Sequence, residues 1–349
     1  MSTPTKESTD QYNFEFVGWD GEFVNVTQPK ILEPIFKEVL RQYWCRFWNG
    51  TESLQESLVY WGETPKFVGD TSTIFKKFNG EVSEYYEFSN WSPSPDEPIV
   101  GPMNYYAQFA FDGYIEDDWA TIAEACQSGD VSKYGLGGRK QFEFTLDGVT
   151  STVEVEIVGK NMDKLETPDE NYNGGQDTAA LTFMLFNLGS QNHSMNDTPK
   201  TYLGNTNYRA YNTGGWLMSD MRSWLNEDVY EALPEDLKSL IRPVEKISDT
   251  GFYYPSLKTT IDKLWLPSDE ELNGAVAGQV IMGQGTPYPI FTNNMSRVKT
   301  KASNGQNYIY WTRSSGITNM HFFRYVDLSG NLASNGASSK QGVVFGFCI

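Results

Sequence analysis

The last residues of the chain, 342–349, form an almost uninterrupted apolar segment, Gly-Val-Val-Phe-Gly-Phe-Cys-Ile. A short run of this kind predicts a strand that is buried on both faces. The preceding segment differs, because residues 320–325 read Met-His-Phe-Phe-Arg-Tyr and follow Gly, Ser and Asn residues that are typical of exposed loops. Aromatic and arginine side chains on loops offer a large contact area with few rotatable bonds. The sequence therefore predicts a buried terminal strand beside a recognition surface.

The charge balance limits the classes of partner. The chain carries 27 Lys and Arg against 45 Asp and Glu, a formal net charge of −18. We expect no nucleic-acid partner and no anionic membrane as the main partner, because both require a basic face. Residues 1–8 show no basic region followed by an apolar run, so we expect no signal peptide, and the sequence contains no apolar stretch of the ~20 residues that a membrane helix needs. A soluble protein without membrane insertion is expected.

The cysteines and histidines do not form a pattern that predicts chemistry. Cys45, Cys126 and Cys348 are odd in number, far apart and without the CxxC spacing of a metal or redox motif. Cys348 lies in the apolar terminal segment, so we interpret it as a small core residue. His193 and His321 are isolated, which disfavours a zinc site or a catalytic triad. We therefore predict no catalytic residues, no cofactor and no metal site, with calcium binding by some of the many carboxylates as an open alternative.

The N-terminal third of the chain contains an internal sequence repeat. Residues 12–41 and 42–112 each contain a tryptophan followed, 17 or 18 residues later, by an apolar segment, and residues 1–11 are polar. The longer copy resembles the Listeria–Bacteroides surface repeat, a small β-grasp-like unit; its matching segments are 43–50, 60–65, 86–91 and 105–109. The resemblance implies a disordered tail at 1–11, a partial repeat at 12–41 and a complete repeat at 42–112. Such repeats act as spacers, with their Trp and Tyr side chains in the core.

The remaining chain, 113–349, mixes predicted helices and strands. Residues 116–128 predict a short amphipathic helix that ends at Gly129. Residues 141–146 and 152–158 alternate around Asp147-Gly148, which predicts a hairpin. The acidic run at 269–271 is interpreted as helix capping. The other predicted elements are a strand at 178–188, helices at 218–226 and 228–240, and a loop-rich stretch at 274–303.

Several signatures occur in order within residues 113–349. They are Trp119-x-x-Ile122, Gly214-Gly215-Trp216 with Met221-Arg222, the run 264–268, Trp311-x-Arg313-Ser314 and the terminal segment 342–349. Together they resemble a bacterial and phage domain of the C-type-lectin-like fold, related in architecture to formylglycine-generating enzyme. The predicted fold class is therefore α+β, with a C-terminal C-type-lectin-like domain preceded by small β-grasp-like repeat units.

Some members of that group carry a C-terminal surface that is diversified by retroelement-driven adenine mutagenesis. The resemblance implies that Trp311, Arg313 and Phe345 belong to a constant scaffold. We also expect Trp216 to fill the core and Arg222 to pair with a buried carboxylate. The side chains that the resemblance implies as displayed are Asn319, His321, Phe322, Arg324, Tyr325, Asp327, Asn331, Ser334 and Asn335.

These observations predict a non-enzymatic receptor-binding or adhesion protein with a hypervariable C-terminal surface. A phage tail or a bacterial cell surface is the expected location, and a bacterial surface protein or glycan is the expected partner. A homo-oligomer is possible, a trimer if the protein is tail-associated. Two alternatives stay open, a fixed structural virion protein and an enzyme of the formylglycine-generating type. The enzyme would need a closely placed pair of cysteines, which the scattered positions disfavour.

Overall fold

The computed structural model describes residues 3–22, 24–188, 192–201, 206, 209–253, 255–301 and 304–349. Two compact units are present, residues 1–77 with 86–112 and residues 78–85 with 113–349. The strands up to residue 112 are β1 (Tyr12–Trp19), β2 (Pro34–Leu40), β3 (Gln42–Asn49), β4 (Glu52–Tyr60), β5 (Lys76–Phe78), β6 (Glu81–Ser83), β7 (Tyr86–Ser92) and β8 (Met103–Phe111).

The elements after residue 112 begin with a helix and continue mainly as short strands. They are α1 (Trp119–Ser128), β9 (Arg139–Leu146), β10 (Val149–Lys160), β11 (Leu181–Leu185), β12 (Asn187–Leu188), β13 (Asn192–His193), β14 (Lys200–Thr201), β15 (Arg209–Ala210), α2 (Asp220–Trp224), a π-helical segment (Leu225–Val229), α3 (Tyr230–Ala232), α4 (Glu235–Lys238), β16 (Val244–Asp249), β17 (Leu257–Asp262), β18 (Lys299–Lys301), β19 (Asn307–Tyr308), β20 (Tyr310–Ser315), β21 (Phe322–Val326), β22 (Leu332–Gly336), β23 (Gln341–Gly342) and β24 (Gly346–Cys348). Short 3-10 turns lie at Thr71–Thr73, Asn173–Gly175, Gly215–Met218 and Met295–Arg297.

The predicted α+β class is wrong. Strands make up 39% of the chain and helices 12%, spread over many small sheets, which points to a mostly-β fold. One physical reason lies in the two helices predicted at 218–226 and 228–240. Leu233 precedes Pro234 and is extended, with ψ 151°, because a proline disfavours helical backbone in the residue before it. The helical stretch therefore ends at Ala232, and α4 contributes only four residues.

The first unit contains a hairpin and a four-stranded sheet. β1 pairs with β2, and the larger sheet has the order β4-β3-β8-β7, with β3 and β8 parallel. One face of the larger sheet forms the core, where the ring of Phe47 stacks on Tyr105 at 4.9 Å and meets Trp91 edge-on at 4.9 Å. Trp44 and Tyr106, which were also expected in the core, are exposed. Each precedes or follows a core residue in its strand, and successive strand side chains point to opposite faces.

The core of the second unit joins α1 to the chain terminus. Asp118 caps α1 by accepting a hydrogen bond from the Thr121 amide, and Gly129 ends it with a φ of 79°. Trp119 packs edge-on against Phe183 and Phe347 at 5.5 and 6.0 Å. Residues 341–349 are all buried, as the apolar pattern predicts, although the terminal strand covers only 346–348. It pairs with β11 at the edge of a sheet with the order β24-β11-β10-β9.

The hairpin predicted around Asp147-Gly148 is confirmed. β9 and β10 pair from Leu146 with Val149 outwards. Asp147 and Gly148 have φ values of 52° and 74°, the left-handed pair that a tight two-residue hairpin turn requires. None of the helices in the described ranges is long and apolar enough to cross a membrane.

Candidate functional site

Strand β20 supports the predicted recognition region. It lies inside a five-stranded sheet with the order β13-β23-β20-β21-β22, and every residue from Tyr310 to Ser315 is buried. The Trp311 indole donates to the His193 carbonyl at 2.9 Å, and the Tyr310 hydroxyl donates to the Arg297 carbonyl at 2.7 Å. Trp311 therefore has the interior position that the sequence predicts for it.

Arg313 is the most connected side chain of this strand. Its guanidinium is fully buried and forms a two-point ion pair with Glu271. It also donates to the carbonyls of Leu266, Ile247 and Gln284 at 2.9, 3.1 and 2.5 Å. Burial acts to raise the pKa of Glu271, but Arg313 and Lys246 outweigh it and lower that pKa to about 2. Residues 269–271, which were interpreted as helix capping, therefore include a partner of the central buried cation.

The other predicted scaffold residues are also interior. Trp216 is fully buried and donates to the Asp262 carboxylate at 2.9 Å. Arg222 contacts the same carboxylate at 2.6 Å, so the prediction that it pairs with a buried acid is confirmed. Phe345 is also buried, in the segment that connects β23 to β24. Trp216 and Arg222 therefore share one buried carboxylate.

The predicted display residues lie on the loop 316–322, whose last residue is also the first of β21, and on the hairpin of β21 and β22. The hairpin register pairs Phe322 with Gly336, Arg324 with Ser334 and Val326 with Leu332. Of the nine side chains, two are exposed, six are half-buried and one is buried. The exposed ones are His321 and Asn331, and the half-buried ones are Asn319, Phe322, Tyr325, Asp327, Ser334 and Asn335.

Arg324 is buried, so its prediction as a displayed side chain is wrong. Its side chain is 4% exposed; Nε donates to Asp269 Oδ2 at 2.8 Å and Nη1 to Ser334 Oγ at 2.9 Å. Asp269 is fully buried and also accepts from the Thr312 hydroxyl at 2.7 Å. A buried carboxylate needs such partners, and burial raises its pKa even beside Arg324. Arg324 and Ser334 therefore hold the hairpin on the sheet.

The turn of the hairpin is built by two of the predicted display residues. The Asp327 carboxylate accepts from the amides of Ser329 and Asn331, both at 2.8 Å. Gly330 has a φ of 78° and lies directly against the Asn294 carbonyl, so a larger residue does not fit there. Asp327 therefore shapes the turn, whereas Asn331 also presents an exposed amide.

Sequence reasoning missed Asn212, which holds the loop 316–322 from inside. Its buried side-chain amide donates to the carbonyls of Gly316, Asn319 and Phe322 at 2.8, 2.8 and 3.1 Å. Its backbone amide donates to the Met320 carbonyl at 3.2 Å. The partners lie more than 100 positions away in sequence, so no local pattern signals this role. The loop backbone is fixed through its carbonyls by Asn212, and within the loop the Asn319 side chain also accepts from the His321 amide at 2.9 Å.

Asp249 supports the same loop at its base. The carboxylate accepts from the backbone amide and the hydroxyl of Ser315, from the Gly251 amide at 3.1 Å and from the Gln284 side chain at 3.1 Å. Burial is the main cause that raises the pKa of Asp249 to about 7, against the lowering effect of the donors from Gly251 and Ser315. Asp249 therefore lies at the start of the loop, because its partner Ser315 is the residue immediately before Gly316.

A second group of aromatic residues borders the loop. The rings of Tyr211 and His321 are 5.7 Å apart, and the Tyr253 hydroxyl lies 3.0 Å from the Met320 sulfur. Phe252 packs on Tyr253 at 5.3 Å and is itself exposed. The candidate surface therefore extends beyond residues 316–336 to two segments that the sequence did not single out.

The cysteines are all buried and free of disulfides. Burial raises the pKa of Cys126 to about 12 and that of Cys348 well above its ordinary value. A thiol needs a lowered pKa to act as a nucleophile, so neither environment favours such chemistry. Within the described ranges, no group of three or more His, Cys, Asp or Glu side chains is arranged to hold a metal ion.

Comparison with known proteins gives one family match. Residues 190–349, which include β20 and the β21–β22 hairpin, match the family model described as a domain of unknown function, DUF6273. No curated protein and no solved structure matches the chain.

The loop support can be tested with Asn212→Ala. We expect a loss of about 1–3 kcal/mol in the free energy of unfolding, because three loop carbonyls lose their buried donor. Hydrogen exchange of residues 316–322 should become faster than in the parent protein. Asn335→Ala is the matched control, since among the described residues that half-buried side chain accepts one hydrogen bond, from its neighbour Gly336, and we expect a change within about 0.5 kcal/mol. Equal effects of the two substitutions would contradict the role of Asn212.

Proposed function

We propose that this chain is a non-enzymatic receptor-binding or adhesion protein whose recognition surface is the loop 316–322 with the β21–β22 hairpin. The observation that carries the proposal is that the residues holding the loop and hairpin in place are buried, whereas other side chains of the same segments lie at the surface. Asn212, Asp249 and Arg324 hold the backbone from inside, while His321, Tyr325 and their half-buried neighbours leave polar and aromatic groups at the surface. Such a scaffold accepts new surface side chains without a new fold.

The chemistry of the surface supports non-covalent recognition. Phe322 and Tyr325 are rigid aromatic groups with two side-chain torsions each, and Asn319, Asn331 and Asn335 supply amides that both donate and accept. We extend the surface to the bordering aromatic residues Tyr211, Phe252 and Tyr253. The ligand we propose is a protein or glycan of a bacterial cell surface, bound by a phage tail or by another bacterium.

The resemblance of residues 113–349 to retroelement-diversified domains supports a further part of the proposal. We propose that the gene is diversified at adenines in the codons of the display residues. Sequencing related isolates tests this part. Adenine-linked substitutions confined to codons 316–340, next to a near-identical template and a reverse transcriptase gene, are the expected result. A uniform gene without a template would leave a fixed adhesin or structural virion protein.

A matched pair of libraries tests the binding surface itself. One library randomises Asn319, His321, Phe322, Tyr325 and Asn335, and the other randomises the buried positions 323, 324 and 326 of the same hairpin. We expect most members of the first library to keep the parental melting temperature within a few degrees and to yield binders to bacterial surface proteins or glycans. Most members of the second should lose several kcal/mol of stability. Equal loss of stability in both libraries would rule out a display surface here.

A further inference from the structure

The sheet of the first unit carries aromatic side chains on the face opposite its core. Trp44, Tyr60 and Tyr106 have exposed fractions of 45%, 43% and 46%. Leu58 on the same face is also exposed, and Trp48 is half-buried. Exposed apolar groups scattered singly are common, but a contiguous group on one face marks a binding surface.

The strand register places these side chains next to one another. Trp44 on β3 is opposite Leu58 on β4, and Trp48 is opposite Tyr106 on β8. Trp44 and Trp48 are four residues apart on one strand, a spacing of roughly 13 Å along the sheet. The face is therefore an elongated surface with aromatic rings near both ends of β3.

Polar groups of a particular kind lie between the rings. Arg46, which is midway between the two tryptophans, contacts the Glu56 carboxylate at 3.5 Å. The Trp48 indole donates to the Asn104 side chain at 3.0 Å. Gln42 and Gln108 are exposed on the same face, one beyond Trp44 along β3 and the other beyond Tyr106 along β8, so an amide lies at each end of the face. The two charges pair with each other, which leaves this face neutral on a chain of net charge −18.

We infer that this outer face of the β4-β3-β8 strands binds a neutral polysaccharide in an extended conformation. The C–H faces of sugar rings pack on aromatic faces, whose π electrons are partly negative, and amides donate to and accept from sugar hydroxyls. Because the charges of Arg46 and Glu56 pair with each other, an uncharged ligand fits this face better than an anionic polymer, which the net negative charge of the chain repels. A second copy of the chain carries the same net negative charge and is disfavoured in the same way.

Affinity electrophoresis of the full chain tests this inference. The gels contain dextran, galactomannan, xyloglucan or mixed-linkage β-glucan, with polygalacturonate as an anionic comparison. We expect retardation in at least one neutral gel and none in polygalacturonate. Trp44→Ala and Tyr106→Ala should each weaken the interaction about tenfold, because each removes a central aromatic contact. Both residues are exposed, so the variants are expected to fold, which circular dichroism checks.

Phe75→Ala is the matched control. Phe75 has the same exposed fraction as Trp44, 45%, and belongs to the same unit but lies outside the sheet. Retardation of Phe75→Ala should equal that of the parent chain. Free migration of the parent chain in all four neutral gels overturns the inference. So does a Trp44→Ala variant that migrates like the parent, or one whose only change is loss of self-association in sedimentation, since the face would then join two copies.

This inference is independent of the proposed recognition surface, because the two lie in different units of the chain. Variants at Trp44 and Tyr106 should leave binding through residues 316–336 unchanged. Failure of one proposal therefore leaves the other intact.

Discussion

Replacing Arg313 with Met should lower the free energy of unfolding of the second unit by about 3–5 kcal/mol. The guanidinium is fully buried and makes a two-point ion pair with Glu271, itself almost completely buried. Methionine fills much of the volume but supplies no donor. Of the donors in the described part of the chain, the Glu271 carboxylate then keeps Lys246 at 3.1 Å and the Ser268 amide at 3.0 Å. Urea denaturation followed by near-ultraviolet circular dichroism measures the loss.

Two further variants show whether the loss of stability comes from the unpaired charge of Glu271 or from the replacement of a basic side chain by methionine. Lys164→Met removes an ion pair with Glu245 that is largely solvent-exposed in the same unit, and we expect a loss of no more than about 1 kcal/mol. In the double variant Arg313→Met/Glu271→Gln, the uncompensated charge is gone, and Lys246 still has the Asp163 carboxylate as its partner. Part of the stability should return. If Arg313→Met costs as little as Lys164→Met, the buried pair does not hold this unit together.

The elements that the sequence predicted well are those specified by neighbouring residues. The Asp147-Gly148 turn defines its own hairpin, because both residues tolerate the left-handed backbone that the turn needs. The helix α1 likewise has its cap at Asp118 and its terminator at Gly129 within the segment. The burial of the last residues follows from their continuous apolar character.

The elements that the sequence predicted poorly depend on distant partners. Arg324 is a polar residue in an apparently exposed segment, and only the position of Asp269, 55 residues earlier, shows why it is buried. Asn212 acts on carbonyls more than 100 positions away. The fold class failed for a similar reason, since helical periodicity in 218–240 does not reveal how short the segments become around Pro234.

The exposure of the aromatic residues of β3 and β8 could not be predicted from the sequence for a different reason. Both faces of these strands carry large apolar side chains, so alternation alone cannot tell which face is the core. Cys45, Phe47 and Tyr105 are buried, while Trp44 and Tyr106 are exposed. The core face is the one against which two separate segments, containing Phe67 and Ile99, pack.

Asp249 should make the stability of the second unit depend on pH near neutrality. Folding raises the pKa of this acid from 3.8 to about 7, chiefly through burial. Between these values the folded state keeps a proton that the unfolded chain has released, so the free energy of unfolding falls as the pH rises. At about 1.36 kcal/mol per pKa unit, the full effect is on the order of 4 kcal/mol.

Asp249→Asn removes this titration and keeps a similar shape. We expect the variant to gain stability relative to the parent chain as the pH is raised from about 4 to 7, with little further change above pH 7. Melting temperatures of the two proteins at a series of pH values measure the difference.

Asp327→Asn is the control, for which we expect a pH dependence of the opposite sign. Burial acts to raise the pKa of Asp327, but hydrogen bonds from Asn331 and Ser329 outweigh it and lower that pKa. Asp327 therefore contributes stability above its ordinary pKa and loses it as the pH falls.

Asp249 also lies next to the proposed recognition surface. Its carboxylate binds Ser315, the last residue of β20 before the loop 316–322. Ionisation leaves a buried negative charge at the base of that loop, so hydrogen exchange of residues 316–322 should accelerate between pH 6 and 8 beyond the intrinsic rate, in the parent chain and not in Asp249→Asn. Identical exchange profiles in the two proteins would show that the charge of Asp249 is not coupled to the loop, even if the stability difference is present.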